Sequence, residues 1–156
     1  MSALNPSQGF AEQLRQSCIA DWNACVQHRF VHEIFDGSLS DAVLRKYLVQ
    51  DYQFINRFVA LLGAAIASAD VFASRVTLSQ FAGMVTSDEN TYFLRSFDML
   101  GVPEEQRLTP ELTVPTKAFQ QLMHEAVQSL NYANCMAMQA VTEGIYLDWT
   151  DQDAKK

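Results

Sequence analysis

Two carboxylates in this chain stand among residues that do not ordinarily surround a carboxylate. Asp51 lies within Tyr47-Leu-Val-Gln-Asp51-Tyr-Gln-Phe-Ile-Asn-Arg-Phe58, a run otherwise rich in apolar and aromatic side chains. Among Tyr47, Phe54 and Phe58 a carboxylate either faces water or meets a specific partner. Rings beside such an acceptor suit a flat, nitrogen-bearing heterocycle, stacked on its faces while the carboxylate accepts from ring or amino N–H groups. Composition alone favours the plainer alternative, an amphipathic helix with Asp51 on its wet face. Glu143 lies in Ala137-Met-Gln-Ala-Val-Thr-Glu143-Gly-Ile-Tyr146. If it faces the core, desolvation raises its pKa towards the range useful for a general acid or base. Gly144 beside it costs about 1 kcal/mol of helix propensity against Ala, which suggests a need for space near the carboxylate. The alternative is a surface Glu with a glycine kept for packing, and the pattern leaves both open.

Other chemistries find little support. His28 and His32 are four apart, but a metal site there lacks a third ligand and the Glu-x-x-His pairs of di-iron bundles. A helix C-terminus, where His suits the dipole, is the preferred reading. There is no phosphate loop, Gly-rich dinucleotide turn, paired-Cys zinc motif or nucleophile elbow. The three Cys have no paired spacing, so Cys18, Cys25 and Cys135 read as packed, reduced thiols.

The elements that must position these residues are helical. Phe10, Leu14, Cys18, Trp22 and Cys25 or Val26 form one face of an amphipathic helix. Asp36-Gly37-Ser38 is a turn, and Ser38 with Asp41 resembles a capping box that starts a helix near 40. The pattern then runs from Val43 to about Ala69, long enough to predict a kink or break near Gln50–Tyr52 or Gly63. A third helix is expected over Ser74–Leu100, with Gly101 as its C′ residue and Pro103 as a stop. Val102–Pro115 reads as a connection. A fourth helix begins around Pro115 and reaches about Gln128. A fifth starts near Asn131 and passes through Glu143 to Leu147. From Asp148 the chain reads as a polar, exposed tail, unless it is cut before further core elements. No alternating pattern supports a sheet, so the fold class is all-α, with 1–156 as a single helical domain.

Composition narrows the function further. The 156 residues are 49% hydrophobic and 19% charged, a globular balance. The net charge of −7 argues against nucleic-acid and anionic-membrane partners, because phosphate binding needs a basic footprint. The opening Met1-Ser-Ala-Leu-Asn-Pro6 has neither basic nor apolar signal regions, and Phe58–Ala67 is about half a membrane span. The expected compartment is the cytoplasm.

Four blocks, in order and spread over nearly the whole chain, resemble the TenA family of thiaminase II or aminopyrimidine aminohydrolases. They are His28-Arg-Phe-Val-His-Glu-Ile-Phe-Asp-Gly-Ser-Leu39; Tyr47–Phe58 with its Gln-Asp-Tyr core; Asp88-Glu89 with Tyr92-Phe93 and Leu100-Gly-Val102; and Glu143-Gly-Ile-Tyr146. Arg29 replaces the family's usual Pro. The fourth block resembles the subgroup in which a Glu replaces the nucleophilic Cys, and Cys135 lies two turns upstream of that position. The resemblance implies a haem-oxygenase-like stack of helices, assembled as a homo-oligomer (dimer or tetramer), that binds a 4-amino-2-methylpyrimidine without a cofactor. Asp51 would hold the aminopyrimidine edge and Glu143 would do the acid/base work. Phe54 and Tyr146 would line the ring, with Phe119, Tyr47 and Phe58 as further candidates. Phe54 and Phe119 stand where Cys-type members often carry Tyr. Family members run on for several dozen residues, with about three more helices. The expected activity is hydrolysis of 5-aminomethyl or formylaminomethyl aminopyrimidines in thiamin pyrimidine salvage. The alternatives are a non-catalytic pyrimidine-binding or regulatory protein, and an oxidase-like member of the same superfamily.

Overall fold

The computed structural model describes residues 9–151, and every regular element among them is a helix. In order these are α1 (Phe10–Ser17), α2 (Ile19–Val26), α3 (Arg29–Phe35), α4 (Asp41–Ser68), α5 (Phe72–Met84), a π-helical turn (Val85–Glu89), α6 (Asn90–Met99), α7 (Glu104–Leu108), α8 (Val114–Ser129) and α9 (Tyr132–Asp151). None of them is long and apolar enough to cross a membrane. The opening hexapeptide and residues 152–156 lie outside the described residues. The chain divides into two compact units: Ser40–Met138, and the described parts of Met1–Leu39 with Gln139–Lys156.

Ser40–Met138 is organised by α4. The helix starts where the Ser40 hydroxyl accepts from the Val43 N–H, so the cap is Ser40 and not Ser38. Ser38 instead donates its N–H to the Asp36 carboxylate in the preceding turn, where Gly37 has a φ of +74°. From Asp41 the helix continues for 28 residues, about 42 Å, without the expected break. No proline interrupts it, and at Gly63 even an added Cβ would meet nothing within 4 Å. Its length is used twice. Phe58, Leu61, Leu62 and Ala65 are buried with Leu78, Val85, Met123 and Cys135. Leu48 and Val49 are buried with Phe93, Phe97 and Val102. Full burial of each large side chain contributes roughly 1.5–3 kcal/mol.

The expected Ser74–Leu100 helix is realised as α5, the π turn and α6, running continuously. It ends as foreseen. Gly101 takes a φ of +65°, its N–H bonds to the Asp98 carbonyl, and the Val102 N–H bonds to the Phe97 carbonyl. This is a Schellman closure, with Val102 buried against Phe97. α8 is capped by the Thr113 hydroxyl, with Pro115 in the first turn. α7 was not anticipated within the Val102–Pro115 connection.

In the other unit the single amphipathic helix expected from Phe10 to Val26 is two. Cys18 leaves helical geometry (φ −126°, ψ 28°), while the Ser17 hydroxyl donates back to the Leu14 carbonyl. Phe10 and Leu14 are 70% and 42% exposed, so the apolar stripe reaches the interior only at Trp22 and Val26. Cys18 and Cys25 are exposed, and only Cys135 is a packed thiol. His28 is an N-cap: its Nδ1 accepts from the Phe30 N–H at the start of α3. Among the described residues no group of three His, Cys, Asp or Glu could hold a metal ion.

The expected polar tail does not begin at Asp148. α9 continues to Asp151, and Asp148 accepts a 2.7 Å hydrogen bond from the Trp22 indole N–H. The rest of that indole lies on Gly144, where an added Cβ would meet Trp22 Cη2 at 2.7 Å and Cζ2 at 3.1 Å. Arg15 stands over the same ring at 6.0 Å, pairs with Asp148 at 3.8 Å, and is bonded through two nitrogens to Glu12 at 2.7 Å. Bonding to Arg15 holds the Glu12 carboxyl down at about 2. A buried indole has little freedom to retreat, so Gly144→Ala should destabilise the protein by about 1–3 kcal/mol despite the better helix propensity of Ala. In a Trp22→Phe background the same substitution should be neutral or stabilising. Urea unfolding of the four proteins in this cycle measures the coupling.

Candidate functional site

In Ser40–Met138 the Gln-Asp-Tyr block separates into distinct tasks. The Gln50 side chain donates to the Glu111 carbonyl at 3.1 Å and accepts from the Thr113 N–H at 2.9 Å. It therefore fixes the segment that caps α8. Gln53 Nε2 donates to the Arg107 carbonyl, and Gln120 Nε2 donates to the Gln53 carbonyl at 2.9 Å. Tyr52 packs its ring on Phe93 and Phe97, with centroids at 5.4 and 5.3 Å, and its hydroxyl donates to Asn90 Oδ1. Tyr47 packs against this same cluster. Gln50 and Tyr52 are thus structural. Asp51 lies half-buried between them.

One turn on, Phe54 carries the aromatic wall. Its ring stacks on Phe58 at 5.7 Å with an interplanar angle of 16°, and meets Phe119 of α8 at 5.5 Å. Phe54 and Phe119 are half-buried, whereas Phe58 is 1% exposed and backs Phe54 from within the core. A cleft of 420 Å³ opens on a neighbouring stripe of α4, lined by Tyr52, Asn56 and Val59 with Asn90 and Arg107. Asp51 and Phe54 do not line it.

Glu89 closes the π-helical turn. Burial pushes its carboxyl above the ordinary value of 4.5, and the negative charge of Asp51 pushes in the same direction. π turns recur at functional sites because they displace a side chain from α-helical register. The sequence signal was the Asp88-Glu89 pair, but nothing in it showed that Glu89 is half-buried.

In the other unit, Glu143 and Tyr146 are half-buried on α9. Tyr146 meets Trp149 edge-on at 5.1 Å, and Trp149 packs against Phe30 at 6.1 Å. At about 100° per residue, Gln139, Glu143 and Tyr146 share one face, nearly opposite Gly144 and Asp148. The Trp22 contact therefore sets the rotation of the helix and turns the Glu143 face away from the indole. The space beside the carboxylate that Gly144 suggested is filled by Trp22.

The chain belongs to the TENA/THI-4/PQQC family, whose model matches residues 16–155. It is similar to the aminopyrimidine aminohydrolase of Bacillus subtilis (strain 168), with 28% identity over 131 residues. That match covers 82% of this chain and 54% of the relative, so the chain spans about half the length of that relative.

The raised Glu89 pKa has a definite sign. A carboxyl whose folded pKa lies above its unfolded value contributes stability that is full below the unfolded pKa and is lost as pH rises through the folded one. Wild-type stability should therefore fall, in this respect, as pH rises from 4.5 through the elevated Glu89 value. Glu89→Gln should be more stable than wild type at neutral pH, with the difference shrinking as pH is lowered. Chemical denaturation at a series of pH values checks this.

Proposed function

We propose that the chain acts in a hydrolase of thiamin-derived aminopyrimidines, on the 5-aminomethyl or formylaminomethyl compound of pyrimidine salvage. The carrying observation is a half-buried Glu143 on a helix held in fixed rotation, in a chain of this family. The name of the Bacillus relative supports the substrate class.

In this reading Asp51 accepts hydrogen bonds from the aminopyrimidine edge, and Phe54, Phe119 and Tyr146 line the ring, with Tyr47 and Phe58 supporting from the core. A carboxylate on the amino group pushes electron density into the ring and eases departure of a group from the carbon attached at C5. Glu143, as the acid, gives its proton to the leaving nitrogen as the carbon–nitrogen bond breaks. As the carboxylate, it takes a proton from the water that forms the new carbon–oxygen bond. An aminomethyl substrate and water thus give the hydroxymethyl compound and ammonia. With a formyl substrate water adds at the formyl carbon, and the aminomethyl compound and formate leave. A carboxylate is a weaker nucleophile than a thiolate, so acid/base hydrolysis is favoured over a covalent adduct. The same reading takes the enzyme to be a cofactor-independent, cytoplasmic homo-oligomer.

Glu143→Gln should abolish turnover while binding of the hydroxymethyl compound is retained; mass spectrometry of products and calorimetry separate the two. Retained turnover in that variant sinks the assignment. Asp51→Asn should weaken binding by roughly ten- to a hundredfold, the value of a hydrogen bond to a charged group.

A further inference from the structure

Two hydrogen-bond donors are buried without a partner among the described residues: Gln139 Nε2 and Trp149 Nε1. Gln139 is 6% exposed, and a buried N–H without an acceptor costs about 1–3 kcal/mol. Native proteins rarely keep such a group unless something else uses it. Gln139 stands one turn before Glu143 on the same face of α9, with their Cβ atoms roughly 6 Å apart. Thr142, between them, donates its hydroxyl to the Gln139 main-chain carbonyl at 3.1 Å and takes no hydrogen bond from the side-chain amide. Trp149 lies ten residues along the helix, about 15 Å, too far for one small ring to reach both donors.

The ligand chemistry matches this spacing. A 4-amino-2-methylpyrimidine has two ring nitrogens, and both are acceptors when the ring is neutral. One adjoins the amino group, on the edge given above to Asp51. The other, N1, is separated from C5 by a single CH. The carbon where Glu143 would act and N1 therefore lie along one edge of the ring. An ionised carboxylate cannot donate to N1, whereas a primary amide can. We propose that Gln139 Nε2 donates to N1 of the pyrimidine, so that Gln139 fixes the C5–C6–N1 edge against Glu143 and selects pyrimidines over rings lacking that nitrogen. This rests on the aminopyrimidine reading.

The test is a binding cycle by calorimetry. It uses 4-amino-5-hydroxymethyl-2-methylpyrimidine and its analogue with CH in place of N1, 2-amino-3-(hydroxymethyl)-6-methylpyridine. The proteins are the wild type, Gln139→Leu and Gln139→Met. The apolar variants remove an unpaired donor, so they should melt at or above the wild-type temperature. They should bind the pyrimidine about tenfold more weakly, and the preference of the wild type for pyrimidine over pyridine should be lost. Having two apolar replacements guards against one that packs badly. If the wild type binds the pyrimidine and either folded variant keeps both affinity and preference, the role of Gln139 is overturned while the aminopyrimidine reading stands. If the wild type binds neither ring, that reading falls and the proposal falls with it.

Discussion

The packing of Ser40–Met138 depends on α4 remaining one unbroken helix. Its first half buries Leu48 and Val49 against α6, and its second half buries Phe58 to Ala65 against α5 and α8. A kink anywhere between would turn one of these stripes out of its cluster, because a helix rotates its faces by about 100° for every residue gained or lost. Continuity also places Asp51 and Phe54 between the two stripes in sequence, with Phe54 packed on the edge of the second cluster. The polar neighbours Gln50 and Gln53 then do work that apolar residues could not. They satisfy backbone groups of the 107–113 segment, which has no sheet or helix ladder for them.

α9 faces the corresponding problem in the other unit. A helix carrying a carboxylate, an amide and a phenol on one face has no strong apolar moment to set its rotation. Trp22 supplies what the pattern lacks. A large ring against a residue with no side chain, tied at its far end by the Asp148 carboxylate, admits few alternative rotations. Arg15 and Glu12 extend this attachment to α1, which otherwise buries nothing.

Much of the fold was legible because its signals are local. The Gly101 closure, the Pro115 start and the helical period of each core stripe are properties of a few neighbouring residues. The errors came where a distant residue decides. Phe10 and Leu14 keep helical spacing with Trp22, yet the side-chain bonds of Ser17 and Cys18 break the helix and leave the two apolar residues exposed. Asp148 looked like the start of a tail because its partner is 126 residues away. At the candidate site the residue types could be read. The structural tasks of Gln50 and Tyr52 could not, since they depend on Glu111, Thr113, Phe93 and Asn90. Glu89 was hidden for the same reason: a π turn has no sequence signature that separates it from the α-helix on either side.

Gly144 shows why a correct inference from sequence can carry the wrong cause. A glycine in mid-helix beside a carboxylate suggested room for a ligand, and the helix does need room there. The room is taken by Trp22, on the side away from the Glu143 face. The glycine therefore bears on chemistry only through orientation. It lets the indole approach, the indole fixes the helix, and the fixed helix decides where Glu143, Tyr146 and the unpaired amide of Gln139 are presented. A larger residue at 144 would push against the indole and so disturb the rotation that sets where Glu143 faces.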